Sequence, residues 1–441
     1  MVTQHLVKNI LNTSFEGIPT EVIEHAKRSL YNWLGLAIGA AYHPSVDIVL
    51  KLKQDLNISE QVTILGRKEK ADLLFSTLIN GMSSHIFDFD DTHLDTIHHP
   101  SGPVAPVVFA LGELKHLSGK EMLYAFILGV EAELRISNAI YPSHYDLGWH
   151  ITSSAGVFGA AIAAGLLLGL DEEQMLYALG IAGTQAFGLR EMFGTMTKSF
   201  HPGKAAQNGL LAALLAEKGF TSSKQVIEAK RGFANVLAPE HNLEKVNANW
   251  GKEWELLKNS FKPYACGIVL HPAIDACIAL RQYAEPTEVK EIEIHVNPYV
   301  LELTGKQEPK TGLEGKFSIY HTGAIVFLDG DASEEQYADQ KVLDPRTIEF
   351  RKKIKPIIDR NLGEDQAFAK LTTVDGRTFT HQVEHATGSI ENPMTDDALR
   401  KKFNKLTVAI IGDEKAKTMK KMIDHLDSIS DIHVLLPYCR P

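Results

Sequence analysis

Along the first two thirds of the chain, apolar positions recur at helical spacing. Val22, Ala26, Leu30, Trp33 and Leu34 mark one face of a helix expected around Pro19 to Gly39, and Met122 to Ile136 keeps the same period. Ala155 to Leu170, AGVFGAAIAAGLLLGL, is apolar or glycine throughout. It is shorter than the roughly 20 residues that span a bilayer, and its small side chains suit close packing, so it predicts a central core helix. Asp171 and Gln174 form a capping box opening a helix towards Phe187, and a further helix is expected from Lys204, just after Pro202, to Gly219. Helix following helix without alternating strands excludes a doubly wound or barrel design. No glycine-rich phosphate fingerprint follows a strand.

The pattern changes near Pro263. Pro272 suits the first turn of a helix over Ala273 to Leu280, Lys290 to Val296 alternates with period two as a strand does, and Asp375-Gly376 separates Ala367–Val374 from Arg377–Val383 as a hairpin turn. Ile348 to Ile358 reads as a helical candidate broken at Pro356. Helical texture returns from Asp396, through Leu399, Phe403 and Leu406 and then Lys417 to Leu426. The fold class expected is mainly α: a large all-helical domain from residues 1–265 and 396–441, with residues 266–395 inserted as a smaller α+β module.

Composition narrows the function. A chain of 441 residues with 44% hydrophobic and 23% charged positions is long enough for two globular domains. With 45 basic against 55 acidic side chains its net charge of −10 disfavours nucleic acid or a membrane surface as partner. Cys266, Cys277 and Cys439 supply neither a disulfide framework nor zinc-finger spacing. The opening MVTQHLVKNILNTSFEG has no basic segment leading into a long apolar run, so a cytoplasmic location is expected.

Chemistry concentrates in a few segments. HIFDFDDTHLDTIHHPSGP, His85 to Pro103, carries Asp88, Asp90, Asp91 and Asp95 among His85, His93, His98 and His99. Acids and imidazoles at this density are costly to bury without partners, yet Ile86, Phe87 and Phe89 would anchor them to a core. The alternatives are a solvated Asp-rich cap, a histidine-rich metal site, or an aspartate motif of the kind helical terpenoid synthases use for magnesium and diphosphate. The last requires a second acidic motif, which Glu131/Glu133 and Glu172/Glu173 do not supply. His150, in Asp146-Leu147-Gly148-Trp149-His150, stands just before the apolar helix; it could meet a substrate carboxylate, or could be a cap or core histidine. In KSFHPGKAAQNG, Lys204 at the expected helix start makes sense if an anion lies between it and the free N–H groups; simple exposure is the other reading. In YACGIVLHPAIDA, His271 precedes a helix in the same way, and in GKFSIYHTG, Lys316, Tyr320 and His321 could reach a site from the second module.

Taken together and in order, HIFDFDDTH with HPSG, GWH, KSFHPGKAAQNG, KPYACGIVLHPAID, KFSIY and ENPMTDD resemble the MmgE/PrpD family along nearly the whole chain. That family includes 2-methylcitrate dehydratase, cis-aconitate decarboxylase and iminodisuccinate epimerase. The resemblance implies a helical domain containing both chain ends, an α+β lid, a homodimer, a site in the cleft between domains, a small anionic carboxylate substrate, and no metal or other cofactor. It places catalytic roles on Asp88, His99, His150, Lys204 and His271, and substrate contacts on Thr92, His98, Lys204 and Tyr320. The HLDTIH stretch after Thr92 is one residue longer than in the decarboxylase pattern, which leaves His98 and His99 as rivals for one position. Dehydration of 2-methylcitrate or a similar hydroxy tricarboxylate is expected first, with the decarboxylase and epimerase reactions as alternatives.

Overall fold

A computed structural model describes residues 1–441. The apolar run folds as a short helical turn, Ile151–Ser154, leading into the helix Gly156–Leu168. That helix is surrounded by the helices Ser101–Lys115, Gly119–Ile140, Glu172–Gly183 and Met196–Glu217. The stretch Ile151–Leu168 is apolar enough to cross a bilayer but is packed inside the protein. The capping box at Asp171 forms: its carboxylate accepts from the Gln174 backbone N–H and the Gln174 side chain accepts in return from the Asp171 N–H.

The helix Met196–Glu217 starts about two turns before Lys204 and continues through Pro202. The expected start just after Pro202 is therefore displaced, because Thr195 caps the earlier end with its hydroxyl. Pro202 is accommodated by Gly102, where even a Cβ would approach the proline ring to 2.9 Å. One residue on, Gly203 lies against the helix Leu73–His85 so closely that a Cβ would stand 2.3 Å from the Leu78 carbonyl oxygen and 2.7 Å from the Met82 nitrogen. Backbone cannot yield as a side-chain tip can. Gly203→Ala is accordingly expected to destabilise the fold by about 2–3 kcal/mol, the upper range of overpacking; an unchanged urea midpoint would show that the two helices can separate freely.

Beyond residue 260 a four-stranded sheet forms in the spatial order Ile354–Ile358, Val289–Val296, Ala367–Thr373, Thr378–Val383. The first pair is parallel, with Ile292 opposite Ile354, and the others are antiparallel, with Val296 opposite Ala367 and Ala367 opposite Val383. The helices His271–Arg281 and Ile319–Asp329 pack on this sheet and on each other. The helical reading of Ile348–Ile358 is corrected: the helix Pro345–Arg351 ends and a strand begins at Ile354. Pro356 fits that strand because it lies at the sheet edge, where a missing N–H breaks no ladder.

Two hydrophobic clusters result. The larger takes side chains from Leu6 to Phe261 and again from Met394 to Cys439. The smaller joins Ala265 to Val383 with Leu36, Ile79, Met82, Ile86, Phe87 and Phe89. The segment from Ile86 to Pro100 thus runs along the seam between the two clusters. A two-residue antiparallel pairing, Thr92 with Ser260 and His93 with Asn259, fastens it to the segment entering the second cluster.

Candidate active site

At the seam, three consecutive carbonyls each receive a buried ammonium from a different part of the chain. Lys316 Nζ donates to Phe87 O at 2.8 Å, Lys262 Nζ to Asp88 O at 3.1 Å, and Lys402 Nζ to Phe89 O at 2.5 Å. This clamp holds Asp88 in the left-handed region at φ 49°, a conformation tolerated by aspartate better than by most residues. Phe87 and Phe89 supply the apolar anchors and Asp88 turns into the cavity between them. Its Oδ1 accepts from Lys262 Nζ at 2.7 Å and from Lys198 Nζ at 3.0 Å. Burial alone would raise the Asp88 carboxyl, but the two ammonium groups hold it well below the usual carboxylate range. Lys198 Nζ stands beside the stacked rings of Phe193 and Phe317, 5.3 and 5.4 Å from their centroids. Burial pulls its own pKa down, against the pull of Asp88.

Around this ion cluster stand four imidazoles. His85 Nδ1 donates to Asp90 Oδ2 at 2.6 Å, and the other Asp90 oxygen lies 3.4 Å from His99 Nδ1. His99 Nδ1 also lies 3.1 Å from both the Asp91 carbonyl and the Thr92 hydroxyl. A carbonyl only accepts, so Nδ1 carries the proton and Nε2 keeps its lone pair. The His99 backbone N–H donates to Thr152 Oγ1 at 3.1 Å, tying the ring to the turn that bears His150. His150 Nδ1 is 2.9 Å from His201 Nδ1, one nitrogen donating and the other accepting. Burial holds His99 and His150 well below the ordinary imidazole range, so both are neutral at pH 7. Asp88, His99, His150, Lys198 and Lys262 line one small cavity of about 30 Å³. A neutral imidazole with a free nitrogen, a neutral imidazole pair and two ammonium groups can together bind a carboxylate, accept a proton and return one.

Of the residues expected from the sequence, Asp88, His99 and His150 meet at this cavity, and Thr92 orients His99 from behind. The two histidines of the doublet point apart. His99 faces the cavity, whereas His98 turns into the helical core, with Nδ1 2.7 Å from Ser137 Oγ and Nε2 3.5 Å from Glu133 Oε1. His271 is buried at the first residue of its helix with neither ring nitrogen bonded to protein, and it lines an adjoining cavity. Lys204 does not reach the site. It lies six positions along the helix from Lys198, about 240° around the axis, half-buried with Nζ on Gln207 Oε1 at 2.7 Å. Tyr320 is also elsewhere: the helix starting at Ile319 carries its hydroxyl to Gln307, at 3.3 Å, in a separate surface cavity. His321 is engaged with the Gln336 carbonyl. The second module instead approaches through Lys316 and Phe317.

Lys198 and Lys262 are the groups that sequence reasoning passed over. Both lie inside the quoted motifs, KSFHPGKAAQNG and KPYACGIVLHPAID. Locating the true helix start at Thr195 would have separated Lys198 from Lys204, because the two cannot share a helix face. Burial pushes the Cys266 thiol up to about 12, which disfavours its thiolate.

Metal donors are present in number. Nitrogens of His85, His99 and His150 fall within 4.8 Å of one another, as do the donor atoms of Asp88, Asp90 and His99. The surroundings disfavour a divalent cation, because it would sit beside the two ammonium groups already on Asp88. A magnesium cradle is likewise not formed by the aspartates. Asp90 is engaged by His85, Asp91 by Ser101 and Asn259 at 2.5 Å each, and Asp95 by Lys258 at 3.4 Å.

Residues 4–245 match the MmgE/PrpD N-terminal domain and residues 264–428 the MmgE/PrpD C-terminal domain. Cis-aconitate decarboxylase of Aspergillus terreus (strain NIH 2624 / FGSC A1156) is 27% identical, over 99% of this chain and 95% of that protein. The Mus musculus cis-aconitate decarboxylase is 26% identical over 98% and 92%. The mitochondrial 2-methylcitrate dehydratase of Yarrowia lipolytica (strain CLIB 122 / E 150) is 23% identical over 78% and 70%. Both family domains follow one another in order along this sequence, and the chain belongs to the MmgE/PrpD family.

Proposed function

We propose that this protein is a metal-independent lyase of small di- or tricarboxylic acids, and that decarboxylation of a cis-aconitate-like substrate is its reaction. The observation that carries this reading is the pair of buried ammonium groups, Lys198 and Lys262, converging on Asp88 beside the free Nε2 of His99. The site binds carboxylate through the ammonium groups. Loss of CO₂ leaves an electron pair conjugated with a remaining carboxylate, which the same two charges stabilise in a water-poor pocket. Lys198, made more acidic by burial, donates a proton to that carbon and regains one from solvent. His99 and the His150–His201 pair fix the substrate and relay protons.

The decarboxylase relatives match nearly the whole chain, whereas the dehydratase match is shorter and weaker. Dehydration of 2-methylcitrate, placed first on the sequence, therefore becomes the second reading. It would assign the His150–His201 pair to protonating the departing hydroxyl. Incubating EDTA-treated protein with cis-aconitate, 2-methylcitrate, citrate and iminodisuccinate separates the reactions. CO₂ release from cis-aconitate is expected, at a rate that added zinc, magnesium or iron leaves unchanged. Alkene formation from 2-methylcitrate without CO₂ favours the dehydratase, and optical change in iminodisuccinate alone favours the epimerase. Turnover seen only after metal addition refutes the metal-free mechanism.

A further inference from the structure

The free space beside the Asp88–Lys198 pair is small, enough for the carboxylate end of a ligand. Cavities of about 30 and 20 Å³ flank the Asp88–Lys198 pair. Each holds about one or two waters, whereas sites for small organic ligands run to roughly 300 Å³ and above. Such a space lies next door. A cavity of about 340 Å³ with buried His271 in its wall is separated from the His99 pocket by Ile97, Ile268 and Val269, which line both.

Ile97 is the unusual member of that wall. It is a β-branched residue in the left-handed region, at φ 56°, where such residues are genuine outliers. Its neighbours hold it there. His93 N–H donates to His98 O at 2.8 Å, Thr96 N–H donates to His93 O at 3.2 Å, and the Thr96 hydroxyl lies 2.8 Å from His93 Nδ1. His98 in turn is anchored to Ser137. Backbone strain maintained by so many bonds belongs to a position whose side-chain direction matters. The rim of the larger cavity carries Asp95, Glu364, Asp365 and Glu391, with Lys258 and His385 as their paired cations. This leaves the rim net negative. His271 contributes its ring to the wall of this cavity, with both ring nitrogens buried.

We infer that Ile97, with Ile268 and Val269, is a specificity-determining partition, and that the larger cavity receives an uncharged substituent of the carboxylic acid held at Lys198 and Lys262. The inference rests on the carboxylate-binding reading of that pocket. Carboxylates are drawn to the ammonium side and repelled by the rim, so chain length and the polarity of the far end are read beyond Ile97.

Binding, rather than turnover, tests this. Titration calorimetry on the full chain compares tricarballylate, tricarballylate with a four-carbon alkyl group on its central carbon, and the same compound ending in a carboxylate. Ile97→Gly relieves the left-handed backbone while removing the side chain, and Val269→Ala opens the opposite wall without touching that backbone; thermal melts establish that both fold. Each variant is expected to shift the affinity ratio towards the alkylated ligand by ~tenfold, the worth of about two newly buried methylenes. The terminal carboxylate is expected to cancel that gain. Tricarballylate binding with an unchanged ratio in both folded variants overturns the partition alone. Equal or tighter binding of the carboxylate-ended ligand overturns the charge selection. If wild-type protein binds no tricarballylate, the carboxylate reading falls and the partition with it.

Discussion

Lys198→Met is expected to lower kcat/KM by ~10²–10³-fold while Lys204→Ala stays within about twofold of wild type, because one ammonium is preorganised at the reacting position and the other is not. Lys198 is buried, packed beside two stacked phenylalanine rings and 3.0 Å from Asp88. Lys204 is half-buried on another face of the helix and is held by a glutamine. The methionine variant should fold, since Asp88 keeps Lys262 at 2.7 Å and is not left as an unpaired buried charge. If Lys198 is also the proton donor, kcat falls with little change in KM for a substrate still bound by Lys262. An inactive Lys204→Ala beside an active Lys198→Met, both with wild-type melting temperatures, would reject the assignment.

The second large effect concerns pH and stability. Burial raises the Asp91 carboxyl to about 7, against the hydrogen bonds from Ser101 and Asn259 and with Asp90 adding to the rise. An unfolded aspartate titrates near 3.9. Between about pH 4 and 7 the folded protein therefore binds a proton that the unfolded chain has lost, so stability declines as pH rises through this window and levels off above it. Three units at ~1.4 kcal/mol each bound the loss at about 4 kcal/mol. Asp91→Asn keeps an oxygen for Ser101 and Asn259 but cannot ionise. Its stability relative to wild type should grow from pH 4 to pH 8 by up to that amount in urea titrations. Parallel pH profiles for the two proteins would mean that Asp91 is ionised, and relieved by its neighbours, throughout.

Both expectations turn on residues whose sequence setting was informative only in part. Local signals carried the helices and strands well. The box at Asp171, the alternation of Lys290 to Val296 and the turn at Asp375-Gly376 each depend on contacts within a few residues, and each has its counterpart in the structure. Pro202 and Pro356 were read as breaks on the same local logic. In the structure the first is accommodated within its helix beside Gly102, and the second fits an edge strand.

The site divides in the same way. Its imidazoles and aspartates were legible because they crowd into His85 to His99, too polar a run to be buried without partners. The lysine clamp was not, since Lys262, Lys316 and Lys402 arrive at Phe87, Asp88 and Phe89 from three remote segments. Nothing local to a lysine announces that its ammonium will cap a distant carbonyl.

The amino-acid sequence by itself determined the helical bulk of this protein, its late α+β stretch and the set of ionisable side chains available for chemistry, because period, capping and turn preference act over short range. Only the tertiary structure decided which of His98 and His99, and which of Lys198 and Lys204, faces the cavity. Neighbouring residues share their composition but not their direction, and direction is fixed by helix phase and by a backbone held between two packed cores.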